Sequence, residues 1–129
     1  METDTPSKKY ILLAEDEEAY ARVLIYKLTQ EGFEVVHESN GERALQAARQ
    51  RTPMIILLDI MMPVKNGFET LKELKADPQL KDIPVIIISS LGQETDVAHA
   101  RELGAADYLV KAYTSISDTM EKILHFIPK

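Results

Sequence analysis

Met54-Ile55-Ile56-Leu57-Leu58-Asp59 is the stretch that decides the fold. Five apolar residues run without alternation, as expected of a central strand covered on both faces. The run then stops on a carboxylate, and Ile60-Met61-Met62-Pro63 and Asn66-Gly67 follow. A charge at the tip of a buried strand is costly unless something binds it. Other apolar runs end the same way: Tyr10–Ala14 on Glu15 and Asp16, Val85–Ile88 on Ser89, and Tyr108–Val110 on Lys111. If these runs are parallel neighbours, their polar ends meet at one edge of the sheet.

Helix signals separate the runs. Tyr20, Leu24 and Leu28, with Val23 beside them, predict a helix from about Glu17 to Glu31, stopped by Gly32. Phe33–Val36 reads as a strand nearer an edge, because Glu34 and His37 interrupt it. Asn40-Gly41 opens a helix over Glu42–Gln50, and Thr52-Pro53 ends it. Phe68, Leu71 and Leu74 mark a third helix, broken at Asp77-Pro78. Leu91 to Glu94 reads as a loop, Val97–Leu103 as a short helix, and Ser117–Phe126 as the last helix.

Strands alternating with helices predict an α/β fold with a parallel sheet. Crossovers between parallel strands are right-handed. The common solution is a doubly wound, flavodoxin-like sheet in strand order 2-1-3-4-5 with helices on both faces, which seats strand 1 beside strand 3. Glu15 and Asp16 then lie next to Asp59, at the switch point where such sheets bind ligands.

The chain has 129 residues and is 45% hydrophobic, which suits one compact core. Residues 1–8 read as a disordered lead-in and residues 9–127 as one domain. A net charge of −6, with scattered lysines and arginines, argues against a nucleic-acid surface. The absence of cysteine excludes disulfides and thiolate chemistry and is compatible with a reducing cytosol. No apolar stretch approaches the roughly 18 residues of a membrane span, so no membrane partner is expected. His37, His99 and His125 follow no metal-ligand spacing and read as surface residues.

Three converged carboxylates repel one another unless a cation or protons intervene. Mg²⁺ suits them: it takes oxygen ligands and leaves positions for phosphate oxygens. An ionised aspartate there can act as a nucleophile toward phosphorus. Lys111 offers positive charge and Ser89 a hydroxyl donor for the transferring group. The plain alternative is that these acids only cap helices, with Asp16 as an N-cap.

Four segments carry a family resemblance. They are Ile11-Leu12-Leu13-Ala14-Glu15-Asp16-Glu17, Leu58-Asp59-Ile60-Met61-Met62-Pro63 with Gly67, Ile83-Pro84-Val85-Ile86-Ile87-Ile88-Ser89-Ser90, and Gly104-Ala105-Ala106-Asp107-Tyr108-Leu109-Val110-Lys111. In this order and spacing the chain resembles the response-regulator receiver domains of two-component signalling, over about Lys9 to Ile127. The resemblance implies that Asp59 is the phosphoacceptor. It implies that Asp16, Asp59 and the backbone carbonyl of Met61 ligate Mg²⁺, with Mn²⁺ able to substitute, and that Glu15 joins them through water. Ser89 and Lys111 would bind the phosphoryl group, and Tyr108 would be the aromatic switch. The implied partners are a histidine kinase or histidine phosphotransfer protein upstream and an effector protein or domain downstream, in the cytoplasm. The surface around helix 4, strand 5 and helix 5 would change on phosphorylation.

The chain departs from the family pattern at several positions. Glu15 stands where many members have aspartate, and Ser89 where threonine is more frequent. Ala112 replaces the proline that usually follows the lysine, so the Lys111–Ala112 bond is expected to be trans, because a cis bond there would cost about 2.5–4 kcal/mol. The last helix lacks arginine, which argues against pairing in the manner of transcription-factor receivers. Met61 and Leu91 flank the water route to the phosphoryl group in this family, and both are apolar, so slow self-dephosphorylation is expected.

Competing readings are an inactive receiver-like interaction module, a dehalogenase-type phosphohydrolase and a plain flavodoxin-like binder. The phosphohydrolase needs an acid where Met61 stands. The binder lacks a Ser/Thr/Gly-rich loop after strand 1. The sequence leaves open whether the receiver stands alone or belongs to a longer protein.

Overall fold

The computed structural model describes residues 10–127. The expected lead-in at residues 1–8 lies outside them. A sheet of five parallel strands is built from β1 (Tyr10–Ala14), β2 (Glu34–Glu38), β3 (Ile55–Leu58), β4 (Val85–Ser89) and β5 (Asp107–Val110). Their order is β2-β1-β3-β4-β5, as the alternation of strand and helix signals predicts. The helices are α1 (Glu18–Gln30), α2 (Gly41–Gln50), α3 (Gly67–Ala76), α4 (Glu94–Glu102) and α5 (Ile116–Phe126). None is long and apolar enough to cross a membrane.

Successive strand side chains point to opposite faces, and this sorts the core into two layers. Leu12, Ile56, Leu58, Val85 and Ile87 pack with Ala44, Leu45 and Ala48 of α2, Leu71 and Leu74 of α3 and Ala100 of α4. Ile11, Leu13, Ile55, Leu57, Ile86 and Ile88 pack with Ala21, Leu24 and Leu28 of α1 and Ile123 of α5. Every residue of β1, β3 and β4 is buried, which is why those runs show no alternation.

Three local details differ from the sequence reading. First, β2 extends to Glu38 rather than ending at Val36, because Leu13 and Ala14 pair with His37 and Glu38. An edge strand tolerates such half-exposed polar residues. Second, α4 starts at Glu94 rather than Val97, so part of the expected Leu91–Glu94 loop is helical. Ala100 is its one fully buried residue, so apolar spacing hides the first turn. Polar chemistry specifies it instead: Asp96 accepts from the Gln93 amide at 3.3 Å, and Glu94 and Asp96 complement the helix dipole. Third, a short 3₁₀ turn, Lys111–Tyr113, joins β5 to α5. All described peptide bonds are trans, Lys111–Ala112 included, as expected.

Candidate functional site

The sheet order brings the polar strand ends together. The Asp59 amide donates to the Ala14 carbonyl at 2.9 Å, which fixes β3's exit beside β1's. Glu15, Asp16 and Asp59 each offer a carboxylate oxygen within 4.8 Å of the others. Glu15 and Asp59 are buried, 1% and 5% exposed, while Asp16 faces solvent. Ser89 ends β4 and is fully buried. Lys111 reaches back from the end of β5, with Nζ 2.9 Å from Glu15 and 3.8 Å from Asp59. Replacing proline by Ala112 therefore leaves Lys111 within the site.

The segment after Asp59 is held by backbone contacts. The Gly67 amide donates to the Ile60 carbonyl at 2.8 Å. A Cβ at Gly67 would lie 2.3 Å from the Asp59 carbonyl oxygen, so only glycine lets α3 begin this close to the strand end. Asn66 caps α3 through a reciprocal pair with Glu69. Between these anchors the Lys65 amide donates to the Pro63 carbonyl at 2.7 Å, across Val64, whose φ is 70°. Positive φ on a β-branched residue is strained. Asp16, Met61, Met62, Pro63, Phe68 and Leu91 line an open groove beside the carboxylates.

On the other side of the site, the Leu91 amide donates to Ser89 Oγ at 3.2 Å. Ser89 accepts in that bond, and its hydroxyl retains one hydrogen to donate. The Tyr108 hydroxyl donates to the Leu91 carbonyl at 2.6 Å, with the ring turned inward and buried.

Electrostatics follow from burial. Desolvation pushes the Glu15 carboxyl up to about 7. Lys111 and the Glu17 amide oppose that shift, and nearby Asp59 reinforces it. Burial alone would lower the Lys111 ammonium, but its bonds to Glu15 and Glu17 and the field of Asp59 outweigh this and hold it above the ordinary lysine value. The donor set is oxygen-only, with no histidine or cysteine joining it among the described residues, so this pocket can hold a hard divalent cation.

Three neighbours of the site escaped the sequence reading. Glu17, read only as a first-turn acid, accepts from Lys111 Nζ at 2.9 Å and donates its amide to Glu15 at 2.9 Å. Tyr20, read as a core-facing helix residue, places its ring 4.5 Å below Lys111 Nζ. His37, read as a surface residue, is half-buried and bonds the Glu15 carbonyl through Nε2 at 2.7 Å. The run of three acids, Glu15-Asp16-Glu17, was the available signal for Glu17. Neither of the others has a local signature. The alternative role for Asp16 is not realised, since Glu17 occupies the N-cap of α1.

Comparison with known proteins agrees with the geometry. The family model for the response regulator receiver domain matches residues 11–123. Response regulator PleD of Caulobacter vibrioides is 44% identical over 101 residues, covering 78% of this chain and 22% of PleD. The chain spans less than half the length of the curated relatives it matches. Among solved structures, the Mn²⁺-bound form of response regulator Rcp1 is 29% identical. It superposes with a TM-score of 0.79 and covers 94% of this chain and 99% of Rcp1. The phosphorylated cyanobacterial phytochrome response regulator RcpA is 32% identical with a TM-score of 0.72, covering 91% of this chain and 88% of RcpA. With its five-stranded fold, its acidic pocket and a family match over nearly all the described residues, this chain belongs to the response regulator receiver domain family.

Proposed function

We propose that the chain is a phosphoacceptor in a two-component or phosphorelay system. In this reading Asp59 takes a phosphoryl group from a phosphohistidine on a histidine kinase or histidine phosphotransfer protein. An Asp59 oxygen bonds to phosphorus as the P–N bond breaks, and its electron pair returns to the imidazole nitrogen. A downstream effector protein or domain in the cytoplasm reads the modified surface. The chemistry is confined to the domain's own aspartate, so the chain is a signalling module and not an enzyme acting on other substrates.

One observation carries this reading: buried Asp59 meets two further carboxylates and the Lys111 ammonium at a single sheet edge. Asp16, Asp59 and the backbone carbonyl of Met61 would hold Mg²⁺ or Mn²⁺, with Glu15 contributing through water. When bound, the ion supplies positive charge toward phosphoryl oxygens and relieves repulsion among the carboxylates. Its fit is supported by the oxygen-only donor set and by Rcp1, a structural relative solved with Mn²⁺. RcpA, a relative solved phosphorylated, supports the acceptor role.

Lys111 and the hydroxyl of Ser89 would bind the phosphoryl oxygens. A Ser89 drawn toward the phosphoryl group would pull on the Leu91 amide, and through the Leu91 carbonyl on Tyr108. Through that bond chain, phosphorylation would bias the β4–α4 loop and β5, and with them the surface around α4, β5 and α5. The deciding experiment is Mg²⁺-dependent phosphotransfer to wild type and Asp59→Asn. Wild type should label and the variant should not; label that persists in Asp59→Asn removes Asp59 from the role.

A further inference from the structure

Lys111 is shared unequally. Its Nζ lies 2.9 Å from Glu15 and 2.9 Å from Glu17, above the Tyr20 ring, yet 3.8 Å from Asp59. An ammonium has three donors and no more. Two are directed at the β1–α1 turn, and the aromatic face of α1 favours the same placement. The group that would serve a phosphoryl oxygen on Asp59 is thus held on the α1 side.

The two carboxylates holding it differ. Glu15 is buried and belongs to the three-acid cluster, so a divalent cation bound there offsets its charge and weakens its hold on Lys111. Glu17 lies outside that cluster and its side chain is 58% exposed. Cation binding does not neutralise it. Its claim on Lys111 persists into the state that reacts. Tyr20 reinforces that claim for a reason unrelated to charge.

Resting on the assignment of Asp59 and Lys111 above, we propose that Glu17, with Tyr20, is a positioning residue that restrains Lys111 from Asp59 and slows phosphorylation. Lys111 must leave Glu17 to meet the incoming phosphoryl group. The identity of residue 17 then sets how readily this receiver is charged.

The test uses the full chain, saturating Mg²⁺ and phosphoramidate as the donor. In that reaction an Asp59 oxygen bonds to phosphorus while the donor's P–N bond breaks and its electron pair leaves with ammonia. Initial labelling rates are compared for wild type, Glu17→Gln, Glu17→Asp and Tyr20→Leu, with Mg²⁺ affinity measured alongside.

Glu17→Gln should label about three to five times faster, the scale set by a partly exposed ion pair. Glu17→Asp keeps the charge but draws the carboxylate back by about one carbon–carbon bond, beyond hydrogen-bonding reach of Lys111. It should recover most of the same gain. Tyr20→Leu should accelerate in the same direction, with Mg²⁺ affinity of all variants within about twofold of wild type, since Glu17 and Tyr20 are not in the ligand cluster.

If only Glu17→Gln accelerates, simple repulsion of an anionic donor explains the effect and the positioning role is wrong. Unchanged rates in both Glu17 variants overturn it as well. Either result in a wild type that labels at Asp59 leaves the phosphoacceptor assignment intact, whereas a wild type that fails to label strikes that assignment instead.

Discussion

The hydroxyl of Tyr108, on β5, donates to the backbone carbonyl of Leu91, beyond the end of β4, at 2.6 Å. Leu91 in turn gives its amide to Ser89 Oγ. One residue of the β4–α4 loop is therefore gripped from both sides, by the candidate phosphoryl ligand and by the candidate switch tyrosine.

Tyr108→Phe keeps the ring in its buried seat and deletes only that bond. The expected cost is about 1 kcal/mol of stability. Hydrogen exchange should accelerate at the start of α4 and stay unchanged in β1 and β3. Uniform acceleration across the sheet would show that the hydroxyl is a global rather than a local tie.

Met61 and Leu91 line the groove at the carboxylates and offer no polar group to orient a water molecule. Phosphoryl loss from Asp59 should be slow, with a half-life well beyond seconds. Met61→Asn or Leu91→Gln should shorten it by about tenfold, as expected when a positioned polar group assists the attacking water. A wild-type half-life of seconds, followed after removal of the donor, would contradict this.

Burial pushes Glu15 up to about 7 from an ordinary 4.5, so near neutrality it is part-protonated in the metal-free protein. Its contribution to folding is fully present below the unfolded value and lost as pH rises through about 7. A divalent cation bound at the cluster would displace that proton. Mn²⁺ affinity should therefore rise roughly tenfold between pH 6 and pH 8 and level off above. Calorimetric titrations at three pH values test this. Glu15→Gln should flatten the dependence, and an equally steep curve in that variant would assign the proton elsewhere.

Val64 and Gly67 make opposite backbone demands. Val64 has a φ of 70° and is 81% exposed, so Val64→Gly relieves strain while removing few contacts. It should stabilise by about 1 kcal/mol in urea denaturation. Gly67→Ala would drive a Cβ against the Asp59 carbonyl and should destabilise by more than about 2 kcal/mol. A Val64→Gly variant less stable than wild type would show that the valine side chain, and not its backbone, governs this turn.

Much of the fold is legible in the sequence. Continuous runs such as Ile55–Leu58 announced buried parallel strands, and their spacing with helix signals implied the order β2-β1-β3-β4-β5. That order alone predicted the meeting of Glu15, Asp16 and Asp59. Hydrophobic periodicity made this possible, because it is written locally and covers most of the core. Where apolar spacing was thin the reading slipped, as at α4, whose first turn rests on Asp96 and the helix dipole.

The partners of long and polar side chains were beyond that kind of reading. Lys111 meets Glu17 across 94 positions of sequence, and His37 meets the Glu15 carbonyl across 22. Residue types and strand ends settled the architecture and the roll of candidate residues. Only the folded chain decided which carboxylates hold the Lys111 ammonium, because that choice turns on ångström differences among Glu15, Glu17 and Asp59 and on the ring of Tyr20 beneath it. Such differences arise from the packing of α1 against the sheet edge, and no local pattern encodes them.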